Sequence, residues 1–360
     1  MAVRQGQTTF DNRTPVDFVV VGSGAAGSVM AKELSTAGFD VVVMEQGPYI
    51  TPDQFNHDEL ADDTKRGLGF LGENDPQTFR ANEDEEAVED SNLNYLRMVG
   101  GTQVHFTANF WRFHEIDFEE RSRFGTVPGT AIEDWPISYA DLEPYYTKVD
   151  WEMGVSGTPG PHDPPRSRPY PVPPLPVKSS GVLLEKAAEK LGMHAFPAPM
   201  AILSQPHNNR IPCTHCGFCM SFGCEVNAKS TSLSAMIPLA ERTGRCEIRA
   251  ESTVHRIETD NTGRVNEVVY FDRDGNQQGQ LANAVVLCAN GAETPRPLFM
   301  SESSRFPNGL ANSSGKVGKY LMGNGQTHAY ARMEHPLNEY KSVQVTRVIH
   351  DLYDSDPSRG

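Results

Sequence analysis

Residues 17–21, DFVVV, form a short apolar and β-branched run. The glycines Gly22, Gly24 and Gly27 follow in G-x-G-x-x-G spacing, and residues 28–37 repeat their apolar positions at helical spacing. Gly38 ends that pattern, residues 41–44 form a second buried run, VVVM, and Glu45 stands at its carboxyl end. The pattern predicts strand, turn, helix and strand, the opening of an α/β unit. Far downstream, residues 254–257, 264–271 and 284–288 alternate or run apolar as strands do, with DRDGN as the hairpin turn between the second and third. The run AVVLCANGAE reads as an apolar strand ending in a small-residue turn, suited to close approach by a cofactor. Between these halves, residues 155–178 are proline-rich, which excludes regular helix or central strand and predicts an extended surface connection. The acidic stretch NEDEEAVED at 82–90 is expected as a solvated loop.

The glycine spacing has a chemical meaning. The first glycine makes the tight turn, the second lets backbone approach a pyrophosphate, and the third lets helix pack on strand. The helix N-terminus then offers free N–H groups and a positive dipole end to phosphates. An acid about twenty residues on, Glu45, suits an unphosphorylated ribose, favouring FAD or NAD over NADP.

Composition narrows the partners. A net charge of -15 argues against nucleic acid or an anionic membrane surface, and no apolar run approaches the ~20 residues that span a bilayer. At 360 residues, two domains or one large domain with insertions is the expectation. The N-terminus lacks the apolar core of a secretory signal, which points to the cytoplasm, with export to the periplasm alongside a partner's signal as the alternative. Six cysteines are too few for a disulfide scaffold in so long a chain. Four of them, Cys213, Cys216, Cys219 and Cys224, fall in CTHCGFCMSFGCEVNAK with C-x2-C-x2-C-x4-C spacing. Clustered thiolates can fold around one soft centre, and the spacing approaches the bacterial ferredoxin run, with Glu225 in place of its proline. An iron–sulfur cluster, a structural zinc, disulfides and unliganded thiols all stay open. Cys246 and Cys288 read as small buried hydrophobes.

The segments GSGAAGSVMAKELSTAGFDVVVMEQG, RMVGGTQVHFTANFWRF, EDWPISYADLEPYYTKVDWEMGVSG, CTHCGFCMSFGCEVNAKSTSLSAMIPLAERTG and AVVLCANGAETPRPLFMS occur in that order. Together they resemble the glucose-methanol-choline (GMC) family of FAD oxidoreductases. The likeness is greatest to the branch of gluconate, sorbitol, fructose and glucose dehydrogenase flavoprotein subunits, and it extends over residues 17 to about 325. The resemblance implies an α/β fold: a Rossmann-like FAD-binding domain with an interrupting insertion, and a truncated α+β substrate domain. It divides the chain into 15–150, first part of the FAD domain; 151–212, proline-rich connection and substrate-side insertion; 213–300, cysteine-rich segment and second part of the FAD domain; and 301–360, start of the substrate domain.

Carried over by position, the resemblance implies that Gly22, Gly24 and Gly27 cradle the FAD pyrophosphate and Glu45 holds the adenosine ribose. Val254 would meet the adenine through its backbone, Ala289 and Gly291 would line the dinucleotide, and Gly100, Gly101 and Thr102 would lie along pyrophosphate and flavin. His105, in GGTQVHF, is a candidate for covalent attachment to the flavin or for packing beside it. Some dehydrogenases of this branch carry a three-iron cluster near the cysteine run, which makes the four cysteines an expected electron outlet toward a cytochrome or small dehydrogenase subunit. The implied activity is oxidation of a CH–OH group in a sugar, sugar acid or other alcohol, with hydride to flavin N5 and electrons to an acceptor other than oxygen. The family's catalytic histidine belongs with an H-x-x-G-T-x-R-M-G motif that this sequence does not contain, so the base is expected beyond residue 360. A flavin- or cluster-binding chain without turnover of its own is the alternative.

Overall fold

The computed structural model describes residues 7–55, 57–58, 78–82, 84–89, 95–323 and 327–354. The chain forms two compact units, the first from residues 1–104 and 231–323, the second from 105–230 and 324–360. The changeovers fall at Val104/His105, Ser230/Thr231 and Gly323/Asn324, whereas the sequence alone suggested boundaries at 150, 212 and 300. The helix at Tyr139–Met153 belongs with the second unit because its buried polar face is tied to that unit's own residues. Arg112 reaches Asp150 Oδ2 at 2.6 Å, the Tyr139 hydroxyl at 3.1 Å and Thr147 Oγ1 at 3.0 Å.

The first unit is built on a six-stranded sheet. Strand β1 (Val16–Val21) leads through a turn into helix α1 (Ala25–Thr36) and strand β2 (Val41–Met44). Strands β3 (Cys246–Arg249), β4 (Thr253–Thr259), β5 (Val265–Phe271) and β6 (Gln277–Leu287) complete it, in spatial order β3-β2-β1-β6-β5-β4. Pairs β3/β2, β2/β1 and β1/β6 are parallel, while β4, β5 and β6 form an antiparallel meander. The parallel part is apolar on both faces, as strands covered on both sides must be. Val19, Val20, Val41, Val42 and Val43 are wholly buried. Helix α1 and the Leu233–Ala240 stretch cover one face through Ala31, Ile237 and Ala240, and Tyr270 with Ala282 close the other.

Strand β6 begins at Gln277, seven residues before the expected start at 284. Its first half pairs antiparallel with β5 and its second half parallel with β1. The polar letters of QQGQLANA hide this strand from a hydrophobicity pattern. Gln280, although polar, is wholly buried, donating to Thr14 O at 3.2 Å and accepting from Arg249 at 3.0 Å.

In the second unit, the helices Tyr139–Met153 and Ser179–Lys190 accompany a two-stranded antiparallel sheet, Ala195–Pro197 with Arg347–Ile349. Its apolar core includes Ala108, Leu175, Met200, Ile202 and Val343. The proline-rich stretch lacks helix, as expected, but it is not only surface. Val172 bridges to Ser156, and both Val172 and Leu175 are buried, because apolar residues between prolines can still turn inward. Of the acidic stretch at 82–90, positions 83 and 90 lie outside the described residues; the others are exposed.

Candidate functional site

A cleft of about 850 Å³ opens in the first unit at the carboxyl ends of β1, β2 and β6, where open α/β sheets place their ligands. Gly22, Gly24, Glu45, Gly101, Thr102, Val254, Ala289 and Gly291 all line it, although they come from four separate stretches of sequence.

The three turn glycines have different reasons for being glycine. Gly22 adopts φ +91°, and a methyl group there would lie 2.7 Å from Cys288 O. Gly27 does not line the cleft; a methyl group there would lie 1.9 Å from Gly22 O, so its role is to let α1 pack on the β1 turn. At Gly24 a methyl group would meet nothing within 4 Å and would project into open space. Gly24 is also the N-cap of α1 and provides no side-chain cap, so the first-turn N–H groups are left to another acceptor. This is the cradle a phosphate requires.

Glu45 is buried, and its carboxylate is held by the turn it follows. Its Oε2 accepts from Ser23 N at 3.1 Å and from Ser23 Oγ at 2.7 Å, and its Oε1 accepts from Gly47 N at 3.0 Å. Burial raises its pKa, and these donors oppose the rise. A carboxylate offers about four lone-pair sites, so capacity for a ribose hydroxyl remains. Ser23, which the sequence reading passed over, also accepts from Gly100 N at 3.0 Å. It thereby ties the glycine turn, the acid and the Gly100–Gly101 turn to one another. That bond keeps Gly100 below the surface, while Gly101, at φ +63° with its α-carbon side against Gly24, faces the cleft. Thr102 Oγ1 accepts from Leu96 N at 2.9 Å.

Charged groups that spacing could not reveal complete the wall. Arg97 and Arg296 line the cleft with Glu293, which accepts from the Tyr95 hydroxyl at 2.5 Å and pairs with Arg296 at 3.3 Å. Cys246 is buried, as expected, but Cys288 is only partly so, since it sits at the cleft wall.

His105 belongs to the second unit and does not line this cleft. Its pKa is pulled down to about 4, by burial first and by the charge of Lys229 second, so the imidazole is neutral at ordinary pH. The four clustered cysteines also lie in the second unit, as free thiols: Cys216 exposed, Cys219 buried, Cys213 and Cys224 between. Burial pushes the Cys219 thiol up to about 12. Among the described residues no three of these sulfurs come within 4.8 Å of one another. A tetrahedral zinc with ~2.3 Å bonds needs sulfurs about 3.8 Å apart, so the thiols are not gathered for a single closed ion. What organises the segment is Lys229, its last residue, 1% exposed. The Lys229 ammonium donates to Phe106 O at 2.9 Å, Cys219 O at 2.7 Å and Phe222 O at 2.8 Å.

The pattern described as an NAD(P)-binding Rossmann-like domain matches residues 20–90. The chain is 33% identical to 2-methyl-1,2-propanediol dehydrogenase of Mycolicibacterium austroafricanum, across 96% of this chain and 62% of that protein. It is 30% identical to the fructose dehydrogenase large subunit of Gluconobacter japonicus, across 85% and 58%. An uncharacterised GMC-type oxidoreductase of Mycobacterium tuberculosis matches 95% of this chain at 28% identity, over 47% of its own length. The chain belongs to the GMC oxidoreductase family. Among solved structures, a formate oxidase variant of Aspergillus oryzae superposes with TM-score 0.54 at 17% identity, covering 82% of the GMC chain and 48% of that one, a likeness of fold. The GMC chain spans about half to three fifths of the length of the curated relatives it matches. No helix among its described residues is long and apolar enough to cross a membrane.

Proposed function

We propose that this chain holds FAD in the cleft of its first unit and forms the flavin-binding part of an oxidoreductase acting on the CH–OH group of a sugar, sugar acid or other alcohol. The observation that carries the reading is the convergence on one cleft of the glycine turn, Glu45, the Gly101–Thr102 turn and the Ala289–Gly291 turn. The open space above Gly24 fits a pyrophosphate, and the cleft volume lies within the ~300–1,000 Å³ of cofactor sites. When bound, the flavin would supply a two-electron acceptor for hydride from the alcohol carbon, the electrons passing on to an acceptor other than oxygen. The chain's residues bind and orient. The first-turn N–H groups of α1 take phosphate oxygens, Arg97 adds positive charge on the wall, and Glu45 accepts from the ribose. No residue of the chain is assigned to take the substrate's hydroxyl proton.

The finer assignments share this standing. His105, a neutral imidazole at ordinary pH, is the candidate for a covalent bond to the flavin. Cys213, Cys216, Cys219 and Cys224 are the candidate ligands of an iron–sulfur centre, supported by their spacing alone, that would relay single electrons to a cytochrome or small subunit. Iron and acid-labile sulfide in purified protein test that assignment; absence of both sinks it. A second reading is flavin binding without turnover by this chain alone.

The deciding experiment is purification of the 360-residue chain, an absorption spectrum, and acid precipitation to see whether flavin is released or stays with the protein. Absence of flavin after reconstitution with FAD would overturn the proposal. Bound flavin with no dye-linked activity on sugars, aldonates and alcohols would select the second reading.

A further inference from the structure

The second unit contains two copies of one dipeptide, His162–Asp163 and His350–Asp351, and both open on a cleft of about 260 Å³ that His114 also lines. The two carboxylates divide the histidines between them. Asp163 Oδ1 lies 3.0 Å from His350 Nδ1, and Asp351 Oδ1 lies 2.7 Å from His194 Nδ1 and 3.5 Å from His162 Nε2. The second group is largely exposed and reads as surface ion pairs. The first is different.

His114 is 7% exposed, and its Nε2 is buried with no hydrogen-bond partner. Donor atoms of His114, Asp163 and His350 all lie within 4.8 Å of one another. An ion pair between Asp163 and His350 would explain those two residues and leave the His114 nitrogen orphaned, at a cost of about 1–3 kcal/mol. The surroundings hold each group in place, as supporting contacts around metal ligands do. Tyr353 stacks on the His114 ring at 3.6 Å and anchors its hydroxyl on Asp117 Oδ2 at 2.7 Å. Gly160 N donates to Asp163 Oδ2 at 2.9 Å, which leaves Oδ1 for the shared point. Phe196 meets the His350 ring edge-on at 5.0 Å.

We propose that His114, Asp163 and His350 form a three-ligand site for a divalent transition-metal ion, with Zn²⁺ the best match. Two imidazoles and one carboxylate are the donor set of open zinc sites, and water from the cleft would take the fourth position. Bonds of ~2.0–2.2 Å require the three donors to draw in slightly from their present spacing. The ligands come from three distant segments, so the ion would staple the 160–165 loop and the 347–353 segment to the start of the Glu115–Phe118 turn.

The test uses the full chain after chelator treatment, titrated with Zn²⁺ against a chromophoric chelator and separately with Co²⁺. One tightly bound equivalent is expected, with cobalt d–d bands but no thiolate charge-transfer band, and a rise in melting temperature on adding Zn²⁺. Asp163→Asn, which keeps the shape, and His114→Ala should each weaken binding at least tenfold and abolish the thermal shift, with circular dichroism confirming the fold. Four outcomes overturn the proposal: no binding tighter than millimolar, affinity unchanged in Asp163→Asn, a thiolate band that disappears in Cys213→Ala, or loss of binding only in His194→Ala.

Discussion

The Ser23 hydroxyl donates to Glu45 Oε2 at 2.7 Å while accepting from Gly100 N at 3.0 Å, so a single buried side chain joins the glycine turn, the acid and the second turn of the cleft. Ser23 is wholly buried, and removing its oxygen strands one donor and deprives a buried carboxylate of its shortest bond. Ser23→Ala is therefore expected to lower stability by about 2 kcal/mol and to weaken FAD retention. Urea unfolding and a flavin-to-protein ratio measure the two effects; a variant that matches the parent in both would show the hydroxyl to be dispensable.

Two glycines in the same turn should respond oppositely to alanine. Gly27→Ala drives a methyl group into Gly22 O, a backbone atom that cannot swing away, and should destabilise the first unit by about 3 kcal/mol or more. Gly24→Ala meets no protein atom and should leave the melting temperature within a few degrees of the parent, yet abolish FAD binding by filling the space a phosphate needs. Equal stability loss in both variants would sink the distinction.

The glycine turn and Glu45 were legible in the sequence because their geometry is local: a turn, a helix start and the end of the next strand, all within residues 22–45. Ser23 was not, since a serine at an unspecified motif position carries no signal and its second partner lies 77 residues on. The unit boundaries escaped for a similar reason. What assigns residues 139–153 to the second unit is the bonding of Arg112 across 38 residues to Asp150. The early start of β6 was hidden by buried glutamine, whose polar atoms are satisfied only in the folded state. The His114 group left one faint trace, the repeated His–Asp pair at 162 and 350, and nothing in the spacing of residues 114, 163 and 350 predicts that they meet.

Lys229 should hold the cysteine segment in shape whether or not that segment binds a cluster. Lys229→Met removes the donor to three carbonyl groups and should cost about 3 kcal/mol or more. The buried Cys219 thiol should at the same time become reactive toward a disulfide reagent in the native state. Thiol counts before and after denaturation decide it; unchanged protection of Cys219 would mean that packing alone maintains the segment.

His105 predicts an acid-sensitive step in stability. Its pKa in the folded protein, about 4, is below the ordinary 6.5. As pH falls, the unfolded chain takes up this proton first, so the unfolded state is favoured progressively between about 6.5 and about 4. The stabilisation is fully present above that window and lost below it. At ~1.4 kcal/mol per pH unit, and discounting for partial exposure of the ring, the loss is on the order of 2 kcal/mol. Carboxylates and other histidines titrate in the same range, so the informative quantity is the difference between the parent and His105→Gln, which has no proton to gain there. Urea midpoints across the window should fall more steeply for the parent than for the variant. Parallel curves would mean that His105 is solvated in solution, with a pKa close to the ordinary 6.5.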